Sequence, residues 1–318
     1  MYERTMDEDL QQGIGRCGAC DSTSSSLLKC SGCRLVSYCG TECQGTDWSK
    51  HKSICKEKRR AIQEVMLFEH QEGNHFGECP ICFLPMPFDA DKIMKATAED
   101  EEHYRYLKEI TATSCCSTLV CTNCFDAHII TCCNERIKPT CPFCRSETPD
   151  KEKDDYELLD VAEIDNHQML IKNGATLCGR GDHAAAFTSY KKAAKLGNIQ
   201  GMYFVSTMLH CGIGVATNHG KANAYVIKAA AGGHPIARHE AGMYELYQGN
   251  AERAVRHFCI AASQGVTKSL DELKSGYKSG YVTKSEYEQA LRSNQKAKEA
   301  MKDNEETRSQ MLAETKRH

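Results

Sequence analysis

Cysteine and histidine recur at metal-ligand spacing in the first 55 residues, as Cys17-x2-Cys20, Cys30-x2-Cys33, Cys39-x3-Cys43 and His51-x3-Cys55. A two-residue spacer lets one tight turn offer two thiolates to the same ion, and zinc takes four soft or borderline ligands in a tetrahedron. Eight ligands in four pairs therefore predict two zinc ions. His51 and Cys55 stand four apart in the polar segment 41–55, which reads as a helix and would project both from one face. No ligand position is left for water, so the metal is scaffold and hydrolytic chemistry is not expected. A span of about forty residues buries too little apolar surface to fold alone, and each structural zinc contributes on the order of 10 kcal/mol.

A second cysteine segment follows. Cys79-Pro-Ile-Cys82 opens it, Cys121-x2-Cys124 lies mid-way and Cys141-Pro-Phe-Cys144 closes it, with Cys115, Cys116, Cys132 and Cys133 between. Three spaced pairs again point to metal. In the insert between Cys82 and Cys115, Tyr104, Leu107 and Ile110 or Thr111 recur at helical spacing, which predicts a short amphipathic helix.

The elements that position these ligands belong to a chain of modules. At 318 residues it exceeds one ordinary core. Seventeen of its 20 cysteines precede residue 145, leaving Cys178, Cys211 and Cys259 beyond as expected core thiols, so the front half is metal-built and the back half is not. The N-terminus MYERTMDEDL is acidic with no apolar core after it, and no apolar run reaches the length of a membrane span. The expectation is an intracellular protein, cytoplasmic or nuclear, whose thiols serve metal rather than disulfides. A net charge of −3 provides no field for a polyanion, so nucleic acid is not the expected partner, nor is a membrane.

Beyond an acidic linker a pattern recurs: KAAKLG at 192–197, KAAAGG at 228–233 and IAASQG at 260–265, at offsets of 36 and 32 residues. Paired alanines before a glycine turn let helices approach closely, and such a period signals a helical solenoid of about three repeats. Leu270, Leu273 and Tyr277 continue at helical spacing as capping helices, and the Lys- and Glu-rich end is expected to fray. His183, His210, His219, His234, His239 and His257 read as surface or packing histidines.

Residues 17–55 resemble the MYND finger family through the eight ligands, Tyr38-Cys39, Cys43-Gln44 and Trp48. The resemblance implies interleaved sites, Cys17, Cys20, Cys39 and Cys43 on one zinc and Cys30, Cys33, His51 and Cys55 on the other. In fingers of this family that take proline-containing peptides, the positions matching Ser31, Gln44 and Trp48 line the groove; packing against the helix is the plainer role for Trp48. Some MYND fingers sit beside a SET methyltransferase domain, but the chain carries nothing similar to that domain's motifs. The second segment resembles a RING finger, which implies Cys79, Cys82, Cys121 and Cys124 on one zinc and Cys116, Cys141 and Cys144 on another. Thr118 stands where that family usually has a histidine ligand, and Cys115, His128, Cys132 and Cys133 are the candidates to replace it. RING-type ubiquitin ligases supply no catalytic side chain; Ile81, Pro142 and Arg145 match the positions that dock the conjugating enzyme. The repeats resemble Sel-one-like repeats through Gly212-Ile-Gly-Val215, the Lys-Ala pair and KAA.

The expected architecture is multi-domain, small zinc-stabilised cross-brace modules followed by an all-α helical repeat solenoid. Its boundaries are an acidic N-terminus at 1–16, the finger at 17–55, a helical linker at 56–78 and the RING-like module at 79–148. An acidic linker at 149–164, the repeats at 165–270, capping helices at 271–303 and a charged tail at 304–318 complete it. The expected function is a zinc-binding protein-interaction adaptor that docks a ubiquitin-conjugating enzyme as a ligase. A non-enzymatic scaffold with all zinc structural, including a nuclear corepressor-like adaptor, is the alternative. Expected partners are a proline-containing peptide at the finger and another protein on the repeats.

Overall fold

The computed structural model describes residues 15–24, 26–31, 33–68, 76–95, 110–112, 119–143, 145–146 and 166–317. They divide between two compact units, the first ending at Glu69 and the second beginning at His70.

In the first unit β1 (Gly15–Arg16) pairs antiparallel with β2 (Thr23–Ser24), and β3 (Leu28–Lys29) with β4 (Ser37–Tyr38). Helix α1 (Thr41–Phe68) follows. The buried cluster of this unit is Cys17, Cys30, Cys33, Tyr38 and Cys55, four sulfurs and one ring. So little hydrocarbon cannot hold a fold, which is why strands of two residues need metal between them. Tyr38 adds a brace by donating from its hydroxyl to Asp47 Oδ2 at 2.8 Å.

The described part of the second unit opens with residues 76–89, which hold a turn at Cys79 and an isolated bridge between Glu78 and Pro85, and runs into the short helix α2 (Ala90–Lys95). Strand β5 (Ile110–Ala112) then pairs antiparallel with β6 (Leu119–Cys121), and α3 (Thr122–Asn134) leads off directly from β6. The helix expected in this insert is corrected at its end: Ile110 and Thr111 are strand residues, held in register opposite Cys121 and Val120, while Tyr104 and Leu107 lie outside the described residues.

Eight helices complete the chain: α4 (His167–Gly179), α5 (His183–Lys195), α6 (Ile199–Cys211), α7 (His219–Ala231), α8 (Pro235–Tyr247), α9 (Ala251–Ser263), α10 (Thr267–Ser279) and α11 (Lys284–Thr315). Consecutive pairs pack as hairpins and each hairpin stacks on the next. The recurring alanine pairs explain the stacking, because Ala193, Ala194, Ala229, Ala230, Ala261 and Ala262 are all buried. At Gly201 of α6 a Cβ would lie 3.0 Å from the Ala193 Cβ, so the helices meet almost backbone to backbone. The glycine ending each motif turns the chain: Gly197 takes φ +89°, which side chains rarely adopt, while Asn198 N–H donates back to Ala193 O at 3.0 Å.

Within hairpins a small residue faces a large ring. A Cβ at Gly174 would sit 2.4 Å from Tyr190 Cε1, and at Gly242 2.6 Å from Phe258 Cε1. The main core runs through Leu170, Tyr190, Phe204, Met208 and Ile236, and a second gathers Phe258, Leu273, Val282 and Ala290. Helices α10 and α11 form a fourth hairpin at the end of the stack, and α11 stays helical to Thr315, where the charged end was expected to fray. A capping box between Thr283 and Glu286 starts α11, and Arg308, far along it, is buried against the zinc segment, where its guanidinium donates to the Pro85 carbonyl. Cys211, expected in a core, is exposed beside the left-handed Gly212 that ends α6.

The second cysteine segment is built into this unit. Phe88, Ala90 and Ile93 are buried in the same core cluster as Leu170 and Tyr203, and α3 packs against α11. No helix among the described residues is long and apolar enough to cross a membrane.

Candidate metal centres

Five Cys-x2-Cys pairs occur in the sequence, four of them with both residues described, and local backbone shapes them. Three of those four fold into the same turn. At Cys17 the chain closes with Cys17 N–H to Ser22 O at 2.9 Å and Asp21 N–H to Cys17 O at 3.0 Å. The same two bonds recur at Cys30, with Val36 and Arg34, and at Cys79, with Leu84 and Phe83. The fifth residue of each turn is left-handed: Asp21, Arg34 and Phe83 all have φ of 57°. The turn folds the chain around the first sulfur and aims backbone N–H groups at it. Those of Cys20, Ala19 and Cys39 outweigh burial at Cys17 and lower its thiol to about 6.

Helices and the residues just before them supply the other ligands. Cys39 and Cys43 flank the first residues of α1, and His51 and Cys55 sit one turn apart on its buried face, each 4% exposed. Cys121 is the N-cap of α3 and Cys124 lies in its first turn. Among the described residues three groups of four result: Cys17, Cys20, Cys39, Cys43; Cys30, Cys33, His51, Cys55; and Cys79, Cys82, Cys121, Cys124, with ligand atoms within 4.8 Å of one another in each.

The spacing of ligand atoms tests whether zinc fits. Zn–S bonds of about 2.3 Å in a tetrahedron put sulfurs about 3.8 Å apart, and a Zn–N bond of about 2.0 Å shortens the S···N edge to about 3.5 Å. Observed edges are 3.3 Å for Cys20–Cys39, 3.9 Å for Cys43–Cys20, 3.8 Å for Cys30–Cys55, 3.4 Å from Cys33 Sγ to His51 Nε2 and 3.9 Å for Cys82–Cys121. Four of the five lie close to those tetrahedral edges, and Cys20–Cys39 is shorter. Charge agrees with shape: hydrogen bonding to Cys20 and Cys17 pushes the Cys39 thiol up to about 12, so four thiolates cannot coexist there without a dication. Zinc is the expected cofactor, and its sites are closed.

Aromatic rings hold the histidine ligand. Tyr38 meets the His51 ring edge-on at 6.0 Å between centroids, and Trp48 lies against it at 6.1 Å, tilted by 58°. Trp48 is nevertheless 42% exposed, so it packs on the helix and presents a surface. Ser31 is exposed, and Gln44 is half-buried with Nε2 directed at Cys30 Sγ, 3.8 Å away.

The remaining sequence candidates are distributed differently. Cys115, Cys116, Thr118 and Cys144 lie outside the described residues. Cys141 is buried and belongs to none of the three groups; His128 Nε2 lies 2.8 Å from Thr140 O and 3.7 Å from Cys132 Sγ, and Cys133 is exposed. Ile81 and Pro142 are half-buried and Arg145 is exposed. Sequence reasoning missed Phe83 and Phe143, exposed at 73% and 37% beside these positions, because an isolated phenylalanine in a short cysteine loop carries no periodic signal.

Residues 17–55 match the family model of the MYND finger. This segment is a MYND finger. Curated proteins similar to the chain align with short stretches of it. Histone-lysine N-methyltransferase ASHR1 of Arabidopsis thaliana is 42% identical over 53 residues, 17% of this chain and 11% of that protein. SET domain-containing protein 14 of Caenorhabditis elegans is 48% identical over 40 residues, 13% and 9%. Human Egl nine homolog 1 is 39% identical over 62 residues, 20% and 14%. The chain thus spans about a tenth of the length of these relatives. Among solved structures, the Sel1 repeat protein from Oxalobacter formigenes shares 28% identity at a TM-score of 0.38, covering 44% of this chain and 60% of that one. A protective antigen of uropathogenic Escherichia coli strains, displaying an SLR fold, shares 23% at 0.37, covering 42% and 32%.

Proposed function

We propose that the protein is a zinc-built protein-interaction adaptor whose second metal segment is RING-like and docks a ubiquitin-conjugating enzyme, while the MYND finger and the helical repeats select the protein to be modified. In such a ligase the surface holds a charged conjugating enzyme so that its thioester is poised for attack, and no side chain of the ligase reacts.

One observation carries the reading. The turn at Cys141 repeats the metal knuckle of Cys79: Cys141 N–H bonds to Ser146 O at 2.7 Å, Arg145 N–H to Cys141 O at 3.0 Å, and Arg145 is left-handed at φ 60°. Two matched knuckles, bearing Ile81 with Phe83 and Pro142 with Phe143, supply the apolar loops that docking needs, with the exposed Arg145 cation at the second. On this reading a further zinc binds Cys116, Cys141 and Cys144, with its fourth ligand from Cys115, His128, Cys132 or Cys133. At the finger, Ser31, Gln44 and Trp48 take a proline-containing peptide, to which Trp48 offers its free face.

Autoubiquitination by the purified full-length chain with a panel of conjugating enzymes tests the ligase step. Wild type is expected to build chains, and Ile81→Ala and Arg145→Ala to lose them with zinc content unchanged. No chains with any conjugating enzyme, from protein that holds its zinc, would remove the ligase step and leave an adaptor whose metal is wholly structural.

A further inference from the structure

The first helices of the four hairpins start at equivalent places, and three cap themselves. Asn166 accepts from Gln168 N–H and Met169 N–H before α4, Asn198 from Gly201 N–H before α6, and His234 from Ala237 N–H before α8. The fourth, α10, has Val266 at that position, fully buried and with no side chain able to cap. Its cap comes from 176 residues upstream. Asp91 of α2 accepts from Thr267 N–H at 2.8 Å and from the Thr267 hydroxyl at 2.5 Å, and Lys298 of α11 closes on the same carboxylate at 2.9 Å.

The residues beside Asp91 are seated just as specifically. The Phe88 ring is 6% exposed and stands edge-on to the His234 ring at 5.7 Å, with an interplanar angle of 84°. Ile93 is 3% exposed in the same apolar cluster, and Lys268 Nζ donates to the Met94 carbonyl at 2.9 Å. A helix start stripped of its own cap, two lysines and an apolar recess beside a histidine ring form a receptor for one ligand chemistry: an aromatic residue, two spacers and a carboxylate.

We infer that the face formed by the starts of α8 and α10 is a peptide-binding site for aromatic-x-x-acid segments, which this chain closes with its own Phe88–Asp91. The inference deepens the adaptor reading by naming the class of partner the repeats accept, and it is independent of ligase activity. A partner segment of that chemistry competes with the internal one and, on displacing it, removes one of the contacts that hold the zinc segment to the repeats, beside those of α3 and Arg308 with α11. Because the internal ligand is tethered, its effective concentration is of millimolar order, so a free peptide at micromolar concentration is excluded from the wild-type chain.

The test uses the full-length chain and a fluorescein-labelled peptide copying residues 84–95, followed by polarisation. The wild type is expected to bind weakly, and the Phe88→Ala/Asp91→Ala double variant at least about tenfold tighter. Replacing the aspartate that corresponds to Asp91 by asparagine in the peptide should cost about tenfold, the loss of one charge-assisted hydrogen bond. Equal affinity in wild type and variant, or binding by neither while helix content and zinc are retained, overturns the proposal. If the double variant does not fold, Lys298→Ala decides: hydrogen exchange of the 86–94 amides should rise about tenfold while α4 to α6 stay protected, and unchanged exchange overturns it.

Discussion

Replacing Gly242 by alanine tests the small-against-large packing that closes a hairpin. In an open helix the change would stabilise by about 1 kcal/mol, since glycine is a poor helix former. Here the new methyl would lie 2.6 Å from Cε1, 2.8 Å from Cδ1 and 3.1 Å from Cζ of Phe258. That ring is 1% exposed and bounded by the His239 ring at 5.6 Å, so it has little room to yield. Overpacking of this kind costs about 1–3 kcal/mol, and with three ring atoms involved the net expectation is a loss of about 1–2 kcal/mol. Urea unfolding of the zinc-loaded chain, followed by circular dichroism, measures it. Phe258→Leu in the same background should recover most of the loss, giving a coupling of at least about 1 kcal/mol in the double-mutant cycle. Gly220→Ala, whose methyl meets only Asn218 Oδ1 at 3.8 Å, should be neutral or stabilising. A Gly242→Ala chain as stable as wild type, or strictly additive double-mutant energies, would refute this picture of small-against-large packing.

Tyr38→Phe should cost the finger about 1 kcal/mol, because Asp47 loses a hydrogen bond at a part-buried site, while zinc binding survives; thermal unfolding and metal analysis of the variant check both. His239 is held neutral by burial, with Lys268 adding to the effect, so that its pKa falls from 6.5 to about 4. Its folded value is the lower one, so its contribution is complete above about pH 6.5 and is lost as pH falls towards about 4; a His239→Gln chain should show a shallower acid dependence of unfolding in that window. Arg308→Ala removes the donor to Pro85 and should loosen the zinc segment from α11, read as faster hydrogen exchange in residues 79–86 with the finger unchanged; exchange identical to wild type would contradict that link.

The metal sites were the most legible part of the chain, because ligand geometry demands fixed spacings and thiols have few other reasons to recur at them. The repeats were legible through their alanine pairs, which must be small to let helices touch. The fourth hairpin was harder to read, because its second helix, α11, runs on to Thr315 and lacks the alanine-glycine motif that ends α5, α7 and α9. What the sequence hid is long-range. Nothing local marks Asp91 as the cap of a helix 176 residues away, or Arg308 as the partner of a loop near Cys82. Such pairings are legible only when the start of α10, uncapped by Val266, is already known to need an acceptor from elsewhere.

The metal content of the intact chain tests the central claim most directly. Native mass spectrometry of full-length protein expressed with zinc is expected to show at least three ions per chain, one for each ligand group. Cys30→Ser and Cys79→Ser should each weaken or empty one site of a different unit and leave the other unit's count unchanged. A fully folded chain carrying fewer than three zinc ions would contradict the account.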